Sequence, residues 1–323
     1  PAVARVFDAG ATPLGGPYFA MEYVQGVPIT EFCDRHRLSN RERLELFIQV
    51  CEGVQHAHQK AIIHRDLKPS NVLVATQDGK RIPTIIDFGV AKATAQKLTE
   101  KTMYTQLGVL IGTPEYMSPE QAEMTGEDID TRTDVYSLGV VLYELLVGVL
   151  PFDSVELRSA GLEGMRKRIR EEEPQTPSRR VITLGDRSTE SAKHRSVDRS
   201  TLQRELRGDL DWITMKSLEK DRTRRYGSPS DLAADVARYL HHEPVQARPP
   251  STAYRVGKFV RRHRLGVAAA TVLLLGVGAG IVGSTVGLIQ ARRAEARALD
   301  EAQRSQRVSA FLEGMLSDLS PAR

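Results

Sequence analysis

The chain has 323 residues, enough for two ordinary domains or for one large domain with appendages. Hydrophobic residues make up 41% and charged residues 27%, a balance that argues against both a disordered chain and a multi-span membrane protein. The net charge is only +4, and basic residues are interleaved with acidic ones, which argues against a nucleic-acid partner. We therefore expect at least one folded domain.

The first part of the chain predicts a strand, a connector and a long helix. Residues 17–24 mix aromatic and apolar side chains and end before a glycine and a proline, which is typical of a strand that leaves into a connector. Over residues 41–58, apolar positions recur three and four apart, which predicts an amphipathic helix. Two short apolar runs at 72–74 and 82–86 then lead into a threonine-rich loop.

The middle of the chain predicts a buried helix and a surface insertion. Residues 134–147 are apolar nearly all round, which indicates a helix buried on most sides. Residues 178–205 are rich in Ser, Thr, Lys and Arg with no sustained period, which predicts a solvated surface insertion. Helical patterning returns at 210–218 and 231–240, and three prolines then mark a linker.

One stretch is long and apolar enough to cross a membrane. Residues 265–289 contain no charged side chain, and about 20 apolar residues suffice for a membrane-spanning helix. A buried core helix is the alternative. Five basic residues precede the stretch, whereas the basic residues behind it alternate with acidic ones, which favours a cytoplasmic location for the preceding side.

The segment after this stretch predicts a continuation of the helix outside the bilayer. Residues 290–319 are rich in Ala, Arg and Glu with helical periodicity, and Pro321 would end the helix. Within the stretch, glycines four residues apart, at 276/280 and 283/287, would let two such helices approach closely. The ordinary glycine content of membrane helices explains the same spacing, so a homodimer is one of two interpretations.

Two motifs carry the chemistry. Residues 63–73 read Ile-His-Arg-Asp-Leu-Lys-Pro-Ser-Asn-Val-Leu, and residues 87–89 read Asp-Phe-Gly. These segments resemble the catalytic loop and the metal-binding triplet of the protein kinase family. The resemblance implies an α+β, protein-kinase-like fold, mainly the helical C-lobe with part of the β-rich N-lobe, followed by a single transmembrane helix. The combination is similar to bacterial receptor-type serine/threonine protein kinases.

The resemblance assigns catalytic and metal-binding roles. Asp66 would accept the proton of the substrate hydroxyl, and Lys68 would place a cation beside the transferring γ-phosphate. Asn71, also part of the catalytic set, and Asp87 would supply oxygen ligands to a metal ion. ATP is the implied phosphoryl donor and Mg²⁺ the implied ion, with Mn²⁺ as an alternative.

The activation segment looks like that of the serine/threonine branch. The lysine after Asp66-Leu67 and Thr113 ahead of Pro114-Glu115 both fit that branch, so we expect Ser or Thr hydroxyls of proteins as acceptors. Arg65 resembles the arginine of members whose loop is ordered by phosphorylation. The candidate autophosphorylation sites are Thr99, Thr102 and Thr105.

Supporting residues follow from the same resemblance. We expect Glu120 to pair with Arg225, and Asp134 to accept hydrogen bonds from the catalytic-loop backbone. The remaining residues assigned to support are His64, Arg65, Phe88 and Gly89. One departure from the family pattern is Arg222, which stands where a proline is usual.

The start of the chain resembles the family's gatekeeper and hinge. Met21, Glu22 and Val24 match this motif, and the backbone of Glu22 and Val24 would bond the adenine edge. Leu73 is the further residue expected at the nucleotide.

Three expected parts of a kinase are missing from these residues. There is no Gly-x-Gly-x-x-Gly loop, and the first lysine is Lys60, already behind the hinge, so neither the strand lysine nor its helix glutamate is supplied. Because the sequence also starts at Pro1 instead of methionine, we expect it to be an N-terminally truncated piece of a longer protein.

The resulting domain prediction has five parts. These are an N-lobe remainder and hinge (1–26), the C-lobe (27–243), a juxtamembrane linker (244–264), the transmembrane helix (265–289) and an extracytoplasmic helical segment (290–323). A single-pass protein of the cell membrane with a cytoplasmic kinase domain is expected. The alternatives are a non-catalytic pseudokinase or scaffold, an inert fragment, and a small-molecule phosphotransferase with a similar fold.

Overall fold

The computed structural model describes residues 3–12, 17–88, 113–123, 129–249 and 251–318. The chain divides into two compact units, Pro1–Lys258 and Phe259–Arg323. The Thr99, Thr102, Thr105 and Gly89 positions singled out in the sequence lie outside the described residues.

The strands of the first unit form two small antiparallel sheets. One sheet pairs β1 (Val6–Ala11) with β2 (Pro17–Met21), and the other has the order β3 (Val27–Pro28), β4 (Val72–Gln77), β5 (Lys80–Ile85). The strand predicted over 17–24 is confirmed as β2, which ends three residues earlier, and the short apolar runs at 72–74 and 82–86 fall largely within β4 and β5. The β4–β5 hairpin turns through Asp78 and Gly79, both with positive φ.

The helices of the first unit make up most of it. They are α1 (Ile29–Arg35), α2 (Asn40–His58), α3 (Pro119–Glu123), α4 (Arg132–Val147), α5 (Ser154–Ser159), α6 (Gly161–Glu171), α7 (Pro177–Thr183), α8 (Arg187–Lys193), α9 (Arg199–Leu206), α10 (Asp209–Ser217), α11 (Pro229–Leu240) and α12 (Thr252–Arg262), which runs across the boundary between the units.

Helix α2 begins at a reciprocal capping box. The Ser39 hydroxyl accepts a hydrogen bond from the Glu42 N–H, and the Glu42 carboxylate accepts one from the Ser39 N–H at 2.9 Å. Its apolar face, which includes Leu44, Phe47 and Val50, is fully buried in the core. The predicted helix over 41–58 is therefore confirmed, with a start one residue earlier.

Helix α4 is the central element of the core. Fourteen of its residues are buried, among them Val135, Leu138, Leu142 and Leu146. Because an apolar helix surface has to be covered, α2, α10, α11 and α7 all pack around it. The helix ends at Gly148, whose φ of 86° is the left-handed conformation that favours glycine.

The prediction of a solvated surface insertion at 178–205 is wrong. The segment forms α7, α8 and α9, whose buried residues include Val181, Ala192 and Leu202. Arg195, only 1% exposed, donates from Nη2 to the Leu145 carbonyl at 2.8 Å. The last carbonyls of a helix lack hydrogen-bond donors within the helix. Arg195 supplies such a donor at the end of α4 and so connects the segment to the core.

The second unit is dominated by one long helix. Helix α13 runs over Arg264–Asp318, and its Leu265–Leu312 part has an 18-residue window of mean hydropathy 2.3 with no buried residue. Among the described residues, this is the one helix long and apolar enough to cross a membrane, a criterion of length and composition only. The uncharged stretch at 265–289 lies inside it.

Candidate active site

The loop between α2 and β4 is held from below by one buried carboxylate. Asp134, at the start of α4, accepts hydrogen bonds from the N–H groups of His64 and Arg65, both at 2.8 Å. Its Oδ2 also lies 2.7 Å from Nε2 of His58, the last residue of α2. Asp134 thus connects the backbone before Asp66 to α4 and α2. These are the catalytic-loop hydrogen bonds expected for Asp134.

His64 links the loop to the strand that leads into the metal-binding triplet. Its Nε2 lies 3.1 Å from the carbonyl oxygen of Ile86, and its Nδ1 accepts from the Asp66 N–H at 3.3 Å. Burial lowers the pKa of His64, which keeps the ring neutral, with one nitrogen donating and the other accepting. The ring also lies 4.7 Å from the Phe88 ring, centroid to centroid.

Three polar side chains of this loop, those of Asp66, Lys68 and Asn71, lie close together. The Lys68 Nζ lies 3.0 Å from Oδ2 of Asp66 and donates to the Thr113 hydroxyl at 3.3 Å. The Asn71 Nδ2 donates to the Asp66 carbonyl oxygen at 2.9 Å and lies 3.4 Å from Asp66 Oδ2. A carboxylate, a cation and an amide are therefore gathered at the point where the segment around Thr113 returns to the loop.

The expected metal ligands present the right kind of donors. Since the Asn71 nitrogen is committed to Asp66, its amide oxygen is the atom that remains for a metal, and its described contact is the Ser70 hydroxyl at 3.5 Å. Asp87 is exposed, with a φ of 56°. Within the described ranges, no group of three or more His, Cys, Asp or Glu side chains is arranged so that it could hold a metal ion. Two oxygen donors fit a magnesium ion that takes its other ligands from phosphates and water.

The segment after Thr113 is anchored by a buried ion pair. Arg225 donates to both carboxylate oxygens of Glu120, at 2.7 and 2.8 Å, and the Thr133 hydroxyl donates to one of them at 2.8 Å. Burial alone would raise the pKa of Glu120, but the hydrogen bonds and the charge of Arg225 outweigh it and hold the pKa below its usual value. The expected pair is present, with both charges satisfied.

The hinge residues lie on different strands of the small sheets and their connector. Met21 ends β2 opposite Val6, the Glu22 N–H donates to the Arg5 carbonyl at 2.8 Å, and the Val24 carbonyl accepts from Gly26 at 3.1 Å. Leu73 lies in β4 opposite Pro28. No described contact joins these residues to Asp66 or Lys68, so their nucleotide-binding role stays a prediction.

Sequence reasoning missed two supporting residues, His58 and Thr133. His58 bonds the same carboxylate oxygen of Asp134 as the His64 backbone N–H, and the Thr133 hydroxyl adds a third donor group to the Glu120 carboxylate. Both lie close in sequence to assigned residues, since His58 ends the predicted helix six residues before His64 and Thr133 directly precedes Asp134, but no local pattern assigns the contacts that they make.

Comparison with known proteins gives a consistent result. A family model described as "Protein kinase domain" matches residues 13–249. The serine/threonine-protein kinase PknB of Mycobacterium tuberculosis is 34% identical over 251 residues, which cover 76% of this chain and 34% of that protein. A probable serine/threonine-protein kinase of Streptomyces coelicolor is 33% identical over 263 residues, covering 80% of this chain and 34% of that protein.

Among solved structures, the PknI kinase domain of Mycobacterium tuberculosis is similar with a TM-score of 0.48 and 22% identity, covering 74% of this chain and 72% of that chain. The chain spans about a third of the length of the two curated relatives.

Proposed function

Because the chain belongs to the protein kinase family, we propose that this protein transfers the γ-phosphoryl group of ATP to Ser and Thr hydroxyls of protein substrates, itself included. The α+β fold expected from the sequence, mainly helical with a small β part, is that of the family. The observation that carries the proposal is the cluster of Asp66, Lys68 and Asn71 around one loop, with Asp66 Oδ2 between the lysine at 3.0 Å and the amide at 3.4 Å.

Phosphoryl transfer depends on positioning and charge more than on covalent chemistry by the protein. In this site the Asp66 carboxylate accepts the proton of the acceptor hydroxyl as that oxygen attacks phosphorus. Lys68 neutralises charge that develops on the transferred phosphoryl group, and its bond to Thr113 ties that cation to the segment over which a substrate peptide would lie. Asn71 orients Asp66 through the 2.9 Å bond to its carbonyl.

Asn71 and Asp87 are the residues that would hold the divalent ion. When bound there, the ion would supply positive charge that offsets the charge of the nucleotide phosphates. Mn²⁺ would suit the same oxygen donors.

The location of the protein is part of the proposal. The uncharged stretch of α13 and the excess of basic residues before it support a single-pass membrane protein with its kinase domain in the cytoplasm. The same proposal includes a homodimer formed through the glycine spacings of this helix. It also includes autophosphorylation at Thr99, Thr102 or Thr105, which mass spectrometry of the purified enzyme tests.

The deciding experiment compares Asp66→Asn with Asp78→Asn in the full natural length of the protein. Asp78 lies exposed in the β4–β5 turn, so its variant controls for the same chemical change away from the site. We expect wild type and Asp78→Asn to phosphorylate myelin basic protein with ATP and Mg²⁺, and Asp66→Asn to lose at least about a hundredfold in kcat. Equal rates for all three would overturn the role of Asp66. ATP binding without turnover by the wild type would favour a pseudokinase.

A further inference from the structure

Gln121 joins the segment behind Thr113 to the catalytic loop. Its Oε1 accepts a hydrogen bond from the Ser118 N–H at 3.0 Å, and its Nε2 donates to the Arg65 carbonyl at 2.7 Å. The two partners demand opposite ends of the amide, because an N–H needs an acceptor and a carbonyl needs a donor. The orientation of this side chain is therefore set by its surroundings.

The carbonyl that Gln121 holds belongs to the peptide immediately before Asp66. Arg65 has a φ of 65°, a conformation that costs free energy in a residue other than glycine and persists only where its surroundings enforce it. The Arg65 N–H is held by Asp134, and the Asp66 N–H lies 3.3 Å from the His64 ring. Gln121 supplies the remaining bond, on the carbonyl edge of the same peptide plane.

A local structural role explains only half of these contacts. The Gln121 N–H lies 3.3 Å from the Ser118 hydroxyl, so Ser118 and Gln121 also form a reciprocal capping box at the start of α3. Glutamate serves such a box as well as glutamine does, because only an acceptor oxygen is needed. The bond to Arg65 is the one that requires a donor, and hence an amide.

We propose that Gln121 is a positioning residue that orients the peptide before Asp66, and with it the proton-accepting carboxylate, and couples that orientation to the order of the segment at Ser118. The catalytic part of this inference rests on the proposed kinase function. The described contacts of the Gln121 side chain are with Ser118 and Arg65, so its role is exerted through the loop that carries Asp66.

The variant Gln121→Glu separates the two roles. It keeps the acceptor for Ser118 and replaces the donor by a carboxylate oxygen facing the Arg65 carbonyl. Gln49→Glu is the matched control, because the contact of the Gln49 side chain among the described residues is a 3.4 Å bond to the Glu45 carbonyl on α2, away from the site. With the full-length protein, ATP, Mg²⁺ and myelin basic protein, we expect Gln121→Glu to lower kcat about tenfold. Both KM values should stay within about twofold of wild type.

The pH dependence adds a signature that a folding defect lacks. A carboxylate pressed against a carbonyl oxygen has a raised pKa, and once protonated it donates in place of the lost amide. The deficit of Gln121→Glu relative to Gln49→Glu should therefore shrink as the pH falls from about 8 to about 6. A kcat equal to that of the control at every pH would overturn the proposal.

Hydrogen exchange gives a readout that does not depend on activity. The amide protons of Arg65 and Asp66 should exchange at least about tenfold faster in Gln121→Glu than in Gln49→Glu, because the peptide is no longer held on its carbonyl edge. If wild type proves as inactive as Asp66→Asn, the proposed function fails and this measurement decides alone. Faster exchange then supports the positioning role, and equal exchange contradicts it.

Discussion

Two buried carboxylates near the active site are each matched by several donors. Asp134 is fully buried yet accepts two backbone N–H groups and contacts a histidine, and Glu120 meets a bidentate arginine and a threonine hydroxyl. Burying a charge is costly unless hydrogen bonds replace its hydration. The stability of the site therefore depends on complete sets of hydrogen-bond partners. Removal of one partner leaves a buried charged group without compensation.

The Glu120–Arg225 pair gives the largest expected effect of a single side chain. Arg225→Met leaves Glu120 buried without its counter-ion, so the free energy of unfolding should fall by about 3 kcal/mol at neutral pH. Arg224→Met is the control, because the Arg224 side chain is 69% exposed and lies 3.4 Å from Glu219. Its effect should stay within about 0.5 kcal/mol. Urea unfolding in detergent measures both, and similar values for the two variants would contradict the assignment.

The capping box of α2 predicts a dependence of stability on pH. Hydrogen bonds from Arg81 and Ser39 lower the pKa of Glu42 from 4.5 to about 2. A carboxyl whose pKa is lower in the folded state stabilises it above the unfolded pKa, and this contribution is lost as the pH falls toward the folded value.

Glu42→Gln should therefore be less stable than wild type by a constant amount above about pH 5, and the difference should shrink as the pH falls toward 2. Urea titrations at several pH values measure it. A difference that stays the same down to pH 3 would show that the charge of Glu42 contributes nothing.

The sequence revealed residues whose role is written in a contiguous motif and missed those that act through tertiary contacts. Asp66, Lys68 and Asn71 lie within six positions of one motif, and the resemblance of that motif to the kinase catalytic loop was enough to assign them. His58 and Gln121 reach the same loop from separate helices, across contacts with Asp134 and Arg65 that no local pattern encodes.

At the scale of helices, apolar periodicity decided which elements could be predicted. Helices α2 and α4 bury many large apolar side chains, and both were predicted to within two residues. Helices α7 to α9 are short and are attached by a few apolar residues and by Arg195, a charged residue that a hydrophobicity pattern scores as exposed. Arg195 is buried because it donates to carbonyls at the end of α4. This contact exists only in the folded chain, so a local sequence pattern does not predict it.

The crossing of α4 and α10 depends on the absence of a side chain at Gly139. A Cβ there would clash with the Ser217 hydroxyl and lie 2.9 Å from the Ser217 Cβ. Gly139→Ala should therefore lower the free energy of unfolding by about 1–3 kcal/mol. Adding Ser217→Gly should recover part of that loss, because the double variant removes the clashing atoms.

Gly257→Ala is the matched control for that substitution. Gly257 lies in α12 with no atom within 4 Å of the added Cβ, so alanine should cause no loss and should favour the helix by up to about 1 kcal/mol. Unfolding curves of the wild type and these three variants decide. A Gly139→Ala protein as stable as Gly257→Ala would show that α4 and α10 can move apart without loss of stability.

At the scale of the whole molecule, the long helix α13 is the feature that bears on the location of the protein. Its uncharged stretch has no buried residue, with Leu274 69% and Ile281 60% exposed, and so much apolar surface has to be covered by lipid or by protein. A tether of this kind would hold the catalytic loop close to membrane-bound substrates and to other copies of the enzyme.

Arginine substitutions test whether this stretch crosses a bilayer. Leu274→Arg combined with Ile281→Arg places two charges at the centre of the span, each costing about 2.5–3.5 kcal/mol on insertion, so the fraction of full-length protein that resists carbonate extraction from membranes should fall sharply. Ala298→Arg combined with Ala302→Arg adds the same charge to the same helix beyond the uncharged stretch and should leave that fraction unchanged. If both double variants stay in the membrane equally, another part of the protein supplies the anchor. If both leave it equally, the added charge and not its depth is responsible, because a spanning helix distinguishes a charge at its centre from one in water.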